Sequence, residues 1–308
     1  MATFAGRSII SMRDFTCDEI LHVLEVTGMI DERPEEFAHS LEGKILATLF
    51  FEPSTRTRLS FESAMMRLGG RTMGFADPSS SSTKKGESLA DSIKIVESYS
   101  DLIAMRHPVE GSARLASEIS NVPILNAGDG ANQHPSQTFL DLYTIKQEKG
   151  RLEGLEVGFM GDLKYGRTVH SLAHALGRFN CRLYFVSPKG LEMPDDLLEE
   201  LGRMGVLFQE HEDFESAKGG LDILYVTRIQ RERFGDELDY DKVREGYNIS
   251  LSFLEGCNPD LRILHPLPRV DELSEEVDRT PHAIYFRQAA NGIPTRMALI
   301  AMVMGVVS

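Results

Sequence analysis

The feature that most constrains the fold is a unit that recurs along the chain: a short apolar run, a polar loop, then residues spaced like one face of a helix. The clearest example begins with Ile45-Leu46-Ala47-Thr48-Leu49, which reads as a buried strand. Phe50 to Arg58 follow, and then Phe61, Ala64, Met65 and Leu68 at helical spacing. Pro53 closes the strand because it has no N–H to give a central ladder, and Ser54 is a good helix N-cap. Ser54-Thr55-Arg56-Thr57-Arg58 therefore gathers three hydroxyls and two guanidinium groups at the positive end of a helix. Backbone N–H groups, the helix dipole and arginine forks together suit an anion, phosphate above all. A capped helix with two solvated arginines is the plainer reading of the same residues.

The same grammar continues in both directions. Strands are expected at Thr72–Phe75, Leu102–Met105, Val122–Ala127, Glu156–Met160, Arg182–Val186, Val206–Phe208, Ile223–Val226 and Arg262–Leu264. Helices are expected over Asp14–Ile30 with Asp14 as cap, Ser88–Tyr99, Arg114–Ile119, Thr138–Gln147, Thr168–Phe179 and Leu197–Met204. Short ones are expected over Asp241–Gly246 and Leu251–Leu254, and a buried one over Ala298–Val307. Strands and helices alternate in each half, so each half is α/β with a parallel sheet. Lys149-Gly150-Arg151 is the expected boundary, dividing the chain into residues 1–149 and 150–308.

The polar loops carry the chemistry. Asp77 to Glu87 holds a serine run and Lys84-Lys85, and reads either as a linker or as a swinging basic loop. Arg106 follows the carboxyl end of an expected strand, where open α/β sheets place ligands. Gly128 to Gln137 carries His134 and Gln137 to a helix start. Gly161 to Arg167 invites a dinucleotide reading, but its glycines miss the G-x-G-x-x-G spacing and the next strand ends in Ser187-Pro188 with no acid for a ribose. Arg167 instead suits a carboxylate. Thr227 to Arg231 is polar, and His265-Pro266-Leu267-Pro268-Arg269, fixed by two prolines, reads either as a rigid turn or as a loop whose exposed carbonyls accept from a substrate amide.

Composition narrows the function. The 308 residues carry a formal net charge of −14, which argues against nonspecific nucleic-acid binding. An acidic chain that places Arg56, Arg58, Lys84, Lys85 and Arg106 near loops focuses a positive site for a small anion. The three cysteines are scattered, which fits a reducing cytoplasm and neither a disulfide framework nor a zinc site. No apolar run reaches the roughly 20 residues that span a bilayer, and Met1 to Arg13 lacks a signal-peptide pattern. No metal-ligand spacing is present.

Taken in order, the loops Ser54–Arg58, Lys84–Glu87, Met105–Pro108, Gly128–Gln137, Gly161–Arg167, Thr227–Gln230 and His265–Arg269 resemble the aspartate/ornithine carbamoyltransferase family. The resemblance spans nearly the whole chain. It implies two doubly wound α/β domains with the active site between them, the first binding carbamoyl phosphate and the second the amino acid. A C-terminal helix of about residues 290–308 is expected to return to the first domain. It implies that Ser54, Thr55, Arg56, Thr57, Arg106, His134 and Gln137 bind carbamoyl phosphate, and that the backbone of Leu267 and Pro268 holds the carbamoyl amide. Arg167, Arg228 and Gln230 would hold the carboxylates of aspartate. Lys85 and Ser81 would enter from a neighbouring subunit of a homotrimer, Ser81 being one of four consecutive serines. The family requires no cofactor or metal, and some members carry a separate regulatory chain. Within it, ornithine members read His-Cys-Leu-Pro where this chain has His265-Pro266-Leu267-Pro268, and Lys84, Lys85 and Arg228 favour a dicarboxylate over a cationic amino acid. A non-catalytic anion-binding relative is the alternative of a different class.

Overall fold

The computed structural model describes residues 4–76, 86–215, 218–229 and 246–307. The chain divides into two compact units, one of Met1–Tyr143 with Asn291–Ser308 and one of Thr144–Ala290.

The first unit is built on a parallel sheet of β1 (Ile45–Phe50), β2 (Arg71–Phe75), β3 (Leu102–His107) and β4 (Ile124–Asp129), in the order β2-β1-β3-β4. The inner strands β1 and β3 are mostly buried, as strands covered on both faces must be, and so is β4, which Ile9 bridges at Leu125, whereas the edge strand β2 is largely exposed. Helices α1 (Cys17–Glu32), α2 (Thr55–Arg67), α3 (Leu89–Val96) and α4 (Ser112–Ile119) belong to this unit. The unit boundary falls inside α5 (Pro135–Lys149).

The second unit holds β5 (Glu156–Met160), β6 (Arg182–Val186), β7 (Leu207–His211), β8 (Ile223–Val226) and β9 (Arg262–Leu264), all parallel, in the order β7-β6-β5-β8-β9. Its helices include α6 (Arg167–Gly177), α7 (Asp195–Arg203), α8 (Leu251–Leu254) and α9 (Tyr285–Ala290). The last helix, α10 (Gly292–Val303), packs on α1 and α2 of the first unit. No helix among the described residues is long and apolar enough to cross a membrane.

Several boundaries differ from those expected, each for a local reason. Helix α1 starts at Cys17 because Thr16 and Glu19 form a reciprocal capping box, while Asp14 ends a 3-10 turn. Helix α5 starts at Pro135 rather than Thr138; proline is favoured at a first helical position, where its missing N–H costs nothing. Strand β3 runs on to His107, so Arg106 lies in the strand opposite Phe50, not beyond its end. Helix α10 begins before Ala298 and stops at Val303. There Gly305, at φ 71°, closes a Schellman turn through bonds from Gly305 to the Met302 carbonyl and from Val306 to that of Ala301. The expected helix over residues 241–246 lies outside the described residues apart from its last member.

Candidate active site

In each sheet the strand order reverses at one place, between β1 and β3 in the first unit and between β5 and β8 in the second. Ligands of open α/β sheets bind in the crevice outside the carboxyl ends of the strands at such a switch point. The loops at 54–58, 105–108, 161–167 and 227–230 leave these four strands, and those at 128–137 and 265–269 leave the strands next to them, β4 and β9.

In the first unit the β1–α2 loop and the end of β3 meet at this crevice, tied by the Phe51 N–H donating to the Arg106 carbonyl at 2.8 Å. Ser54 occupies the N-cap position of α2, but its side chain makes no capping bond, and the first turn holds no acidic residue. The first-turn N–H groups of α2 therefore keep their positive field for an anion. Thr57 is buried beneath them. The two arginines of the loop part company: Arg58 pairs with Glu62 at 3.4 Å along the helix, while Arg56 makes no ion pair with any described residue. Protein packed around Arg56 pushes its guanidinium below its ordinary value, yet the side chain is exposed and stays charged at neutral pH. Arg106 donates to the Glu52 carboxylate at 2.5 Å and to the Ala127 carbonyl at 3.5 Å. His107 is not another anion ligand of this kind. Its Nδ1 accepts from the Val109 N–H and faces the Ser112 hydroxyl, and burial pushes its pKa down, so it is neutral.

The β4–α5 loop brings His134 and Gln137 to the same edge of the sheet. His134 is buried, and its carbonyl accepts the N–H groups of Gln137 and Thr138 as α5 begins. Gln137 donates to the buried Asp141 at 2.9 Å. Arg296 of α10 is buried nearby: it reaches the Gly292 carbonyl and the Ser136 hydroxyl and lies over the Phe61 ring at 5.0 Å. Burial lowers its pKa to about 10, against the opposing pull of Asp141. Neither Asp141 nor Arg296 stands out in sequence; an arginine inside an otherwise apolar helix is the one signal available.

In the second unit Arg167 is the first residue of α6, at the end of the β5 loop, and Arg228 follows β8. The two loops touch at Gly161, whose φ is 122°; a Cβ there would lie 2.2 Å from the Thr227 carbonyl oxygen. Only glycine permits that approach. The β9 loop is fastened from within. The Leu267 N–H donates to His265 Nδ1 at 2.8 Å, which leaves the proton on Nε2, 2.8 Å from the buried Glu272 carboxylate. Burial works against the Glu272 charge, but the bonds from His265 and the Val270 N–H outweigh it and hold its pKa below the usual carboxylate range. With the Leu267 N–H engaged and Pro268 lacking one, this loop presents carbonyl acceptors. Leu267 itself has φ 53°, an uncommon conformation for a non-glycine residue. Arg269 clamps the loop to Asp278 and Tyr285.

Ser81, Lys85 and Gln230 lie outside the described residues. The remaining predicted site residues thus fall into two groups: Ser54 to Thr57, Arg106, His134 and Gln137 in the first unit, and Arg167, Arg228, Leu267 and Pro268 in the second.

Known proteins share this pattern. Residues 7–147 match the family profile described as aspartate/ornithine carbamoyltransferase, carbamoyl-P binding domain, and residues 153–303 match the Asp/Orn binding domain of the same family. The aspartate carbamoyltransferase catalytic subunit of Thermococcus onnurineus is 57% identical over 303 residues, covering 98% of both chains. The solved catalytic subunit of M. jannaschii aspartate transcarbamoylase superposes with a TM-score of 0.92 at 52% identity, covering 97% of this chain and 98% of that one. The Trypanosoma cruzi aspartate transcarbamoylase solved with carbamoyl phosphate and aspartate gives 0.91 at 37% identity, covering 98% and 96%. With both domains matched in order and more than half of all positions identical to such relatives, the chain belongs to the aspartate/ornithine carbamoyltransferase family.

Proposed function

We propose that this chain transfers the carbamoyl group of carbamoyl phosphate to the amine of L-aspartate, giving N-carbamoyl-L-aspartate and phosphate, a step of pyrimidine nucleotide biosynthesis. The observation that carries the reading is the uncapped, acid-free N-terminus of α2 beside Arg56 and Arg106. The relatives named above supply the acceptor: one is solved with both carbamoyl phosphate and aspartate. Pro266 and Arg228 favour aspartate over ornithine on chemical grounds.

In this reading residues 1–149 bind carbamoyl phosphate through Ser54, Thr55, Arg56, Thr57, Arg106, His134 and Gln137, and residues 150–308 bind aspartate through Arg167, Arg228 and Gln230. The carbonyls of Leu267 and Pro268 accept from the carbamoyl amide. The aspartate amine attacks the carbamoyl carbon; a C–N bond forms, the C–O bond to phosphate breaks, and the departing phosphate takes the amine proton. No enzyme nucleophile is required. Catalysis consists of holding two mutually repelling anions in reacting geometry and of stabilising the oxygen that gains charge, the latter by Arg106, His134 and Thr57. The working form is a cytoplasmic homotrimer in which Ser81 and Lys85 complete the neighbouring subunit's site; a regulatory chain is compatible with it.

Arg56→Ala is expected to lower turnover by roughly 100-fold or more, the usual loss for a donor to developing charge. Turnover near that of the unaltered chain would show the phosphate assignment to be wrong. Sharing of sites is tested by mixing inactive Arg56→Ala and Lys85→Ala chains: hybrids recover activity if the sites are shared and stay inactive if they are not.

A further inference from the structure

The carboxylate of Asp129, at the end of β4, is 1% exposed and has no part in the reaction as read above. It is nevertheless saturated with donors. Its Oδ1 accepts from Asn126 Nδ2 at 3.0 Å and from the Gln133 N–H at 3.1 Å; its Oδ2 accepts from the Gly111 N–H at 3.0 Å and from Asn132 Nδ2 at 3.2 Å. One side chain thereby joins β4, the start of α4 and the residue that immediately precedes His134. Its backbone closes the same turn, with the Asp129 N–H donating to the Gln133 carbonyl at 3.3 Å and the Asn132 N–H to the Asp129 carbonyl at 3.1 Å. Gln133 is held on its far side too, where its Oε1 accepts the Met12 N–H at 3.2 Å. Gly130, at φ 56°, crosses so close to the Glu110 backbone that a Cβ would lie 3.0 Å from its nitrogen.

A buried negative charge near a site that receives an anion repels it, so the charge there needs a compensating reason. The donor count supplies one. Only a carboxylate offers acceptors to four donors on two atoms; an asparagine turned either way would aim its amide N–H groups at two of them. We propose that Asp129 is a positioning residue for the transfer reaction, its carboxylate fixing Gln133 through the Asn132–Gln133 peptide N–H so that the next residue, His134, brings its imidazole to the carbamoyl oxygen. The inference rests on the role given to His134 above.

The experiment is a double-mutant cycle on the full-length chain: Asp129→Asn, His134→Ala and both together, assayed for kcat and for the carbamoyl phosphate KM. Imidazole NMR of His134 in the wild-type and Asp129→Asn proteins reports the ring's environment directly. Asp129→Asn is expected to lower kcat by about 10- to 100-fold, the scale of an ångström-sized misplacement, with a smaller change in KM. It is also expected to shift the His134 resonances and to cost little more once His134 is gone. Equal losses in both backgrounds, or an unchanged kcat, overturn the proposal. Asn132→Ala, which deletes a single donor, is the milder variant should Asp129→Asn not fold; its smaller loss must likewise vanish in the His134→Ala background, and a persistent loss overturns the proposal. If His134→Ala alone leaves kcat unchanged, the role of His134 fails instead, and the two failures are told apart.

Discussion

Substituting Gly161 by alanine should separate the two halves of the reaction. Gly161 follows β5 at φ 122°, and the added Cβ would lie 2.2 Å from the Thr227 carbonyl oxygen and 2.7 Å from its hydroxyl. The carbonyl belongs to backbone that cannot rotate away: the Thr227 N–H is bonded to the Met160 carbonyl at 2.8 Å and the Gly161 N–H to that of Val186 at 3.1 Å. Restoring an ordinary 3.4 Å contact moves the two loops apart by about 1.2 Å. The backbone strain, about 1–3 kcal/mol, leaves a domain of this size folded. The displaced segments lead to Arg167 and to Arg228, which in the proposed function hold the carboxylates of aspartate. A shift near 1 Å costs on the order of 100-fold in rate. Steady-state assays with aspartate varied at saturating carbamoyl phosphate should therefore show kcat/KM for aspartate falling by about that factor. Calorimetric binding of inorganic phosphate, which the proposed function assigns to first-unit residues, should stay unchanged. Aspartate kcat/KM within about threefold of the unaltered protein would refute the placement of these arginines.

Other outcomes follow from single groups. Arg228→Ala is expected to raise the aspartate KM or lower kcat; if both are unchanged, that carboxylate contact is not made. The Glu272 carboxylate is held below its ordinary pKa of 4.5, so the stability it adds is complete above about pH 4.5 and is lost as pH falls through the lowered folded value. Glu272→Gln should flatten the acid limb of a melting-temperature profile below about pH 4.5, and an unaltered limb would deny the His265–Glu272 bond its stabilising role. Burial pushes the Cys181 thiol up to about 11, so a thiol reagent at pH near 8 should leave it unmodified until the protein is denatured; rapid labelling of the native chain contradicts its burial.

The elements most legible in the sequence were those whose pattern is local. The apolar run before Phe50, the proline after it and the helical spacing of Phe61, Ala64, Met65 and Leu68 are sufficient to place β1 and α2, and Glu156–Met160 and Ile223–Val226 are bounded as expected. Strand order was not legible, because parallel pairing joins residues far apart in sequence, as Leu49 pairs with Met105. Yet that order is what brings the loops after β1 and β3 to one crevice. Arg56 and Arg58 look alike in the motif, although Glu62, one helical turn beyond Arg58, is a partner that local spacing offers to Arg58 alone. Distance in sequence does hide Asp129, since a carboxylate between two glycines reads as a turn residue until four donors, Gly111 among them, are seen to converge on it. The α5 start was misplaced because Pro135 was counted with the loop, although proline is at home in the first turn of a helix.

The central claim concerns the acceptor as much as the phosphate. It is tested most directly by incubating the purified chain with carbamoyl phosphate and either aspartate or ornithine and measuring the carbamoylated product. The account predicts N-carbamoyl-L-aspartate from aspartate and no product from ornithine. Product from ornithine alone would contradict it, preserving the phosphate site at α2 while overturning the reading of Arg228 and Pro266.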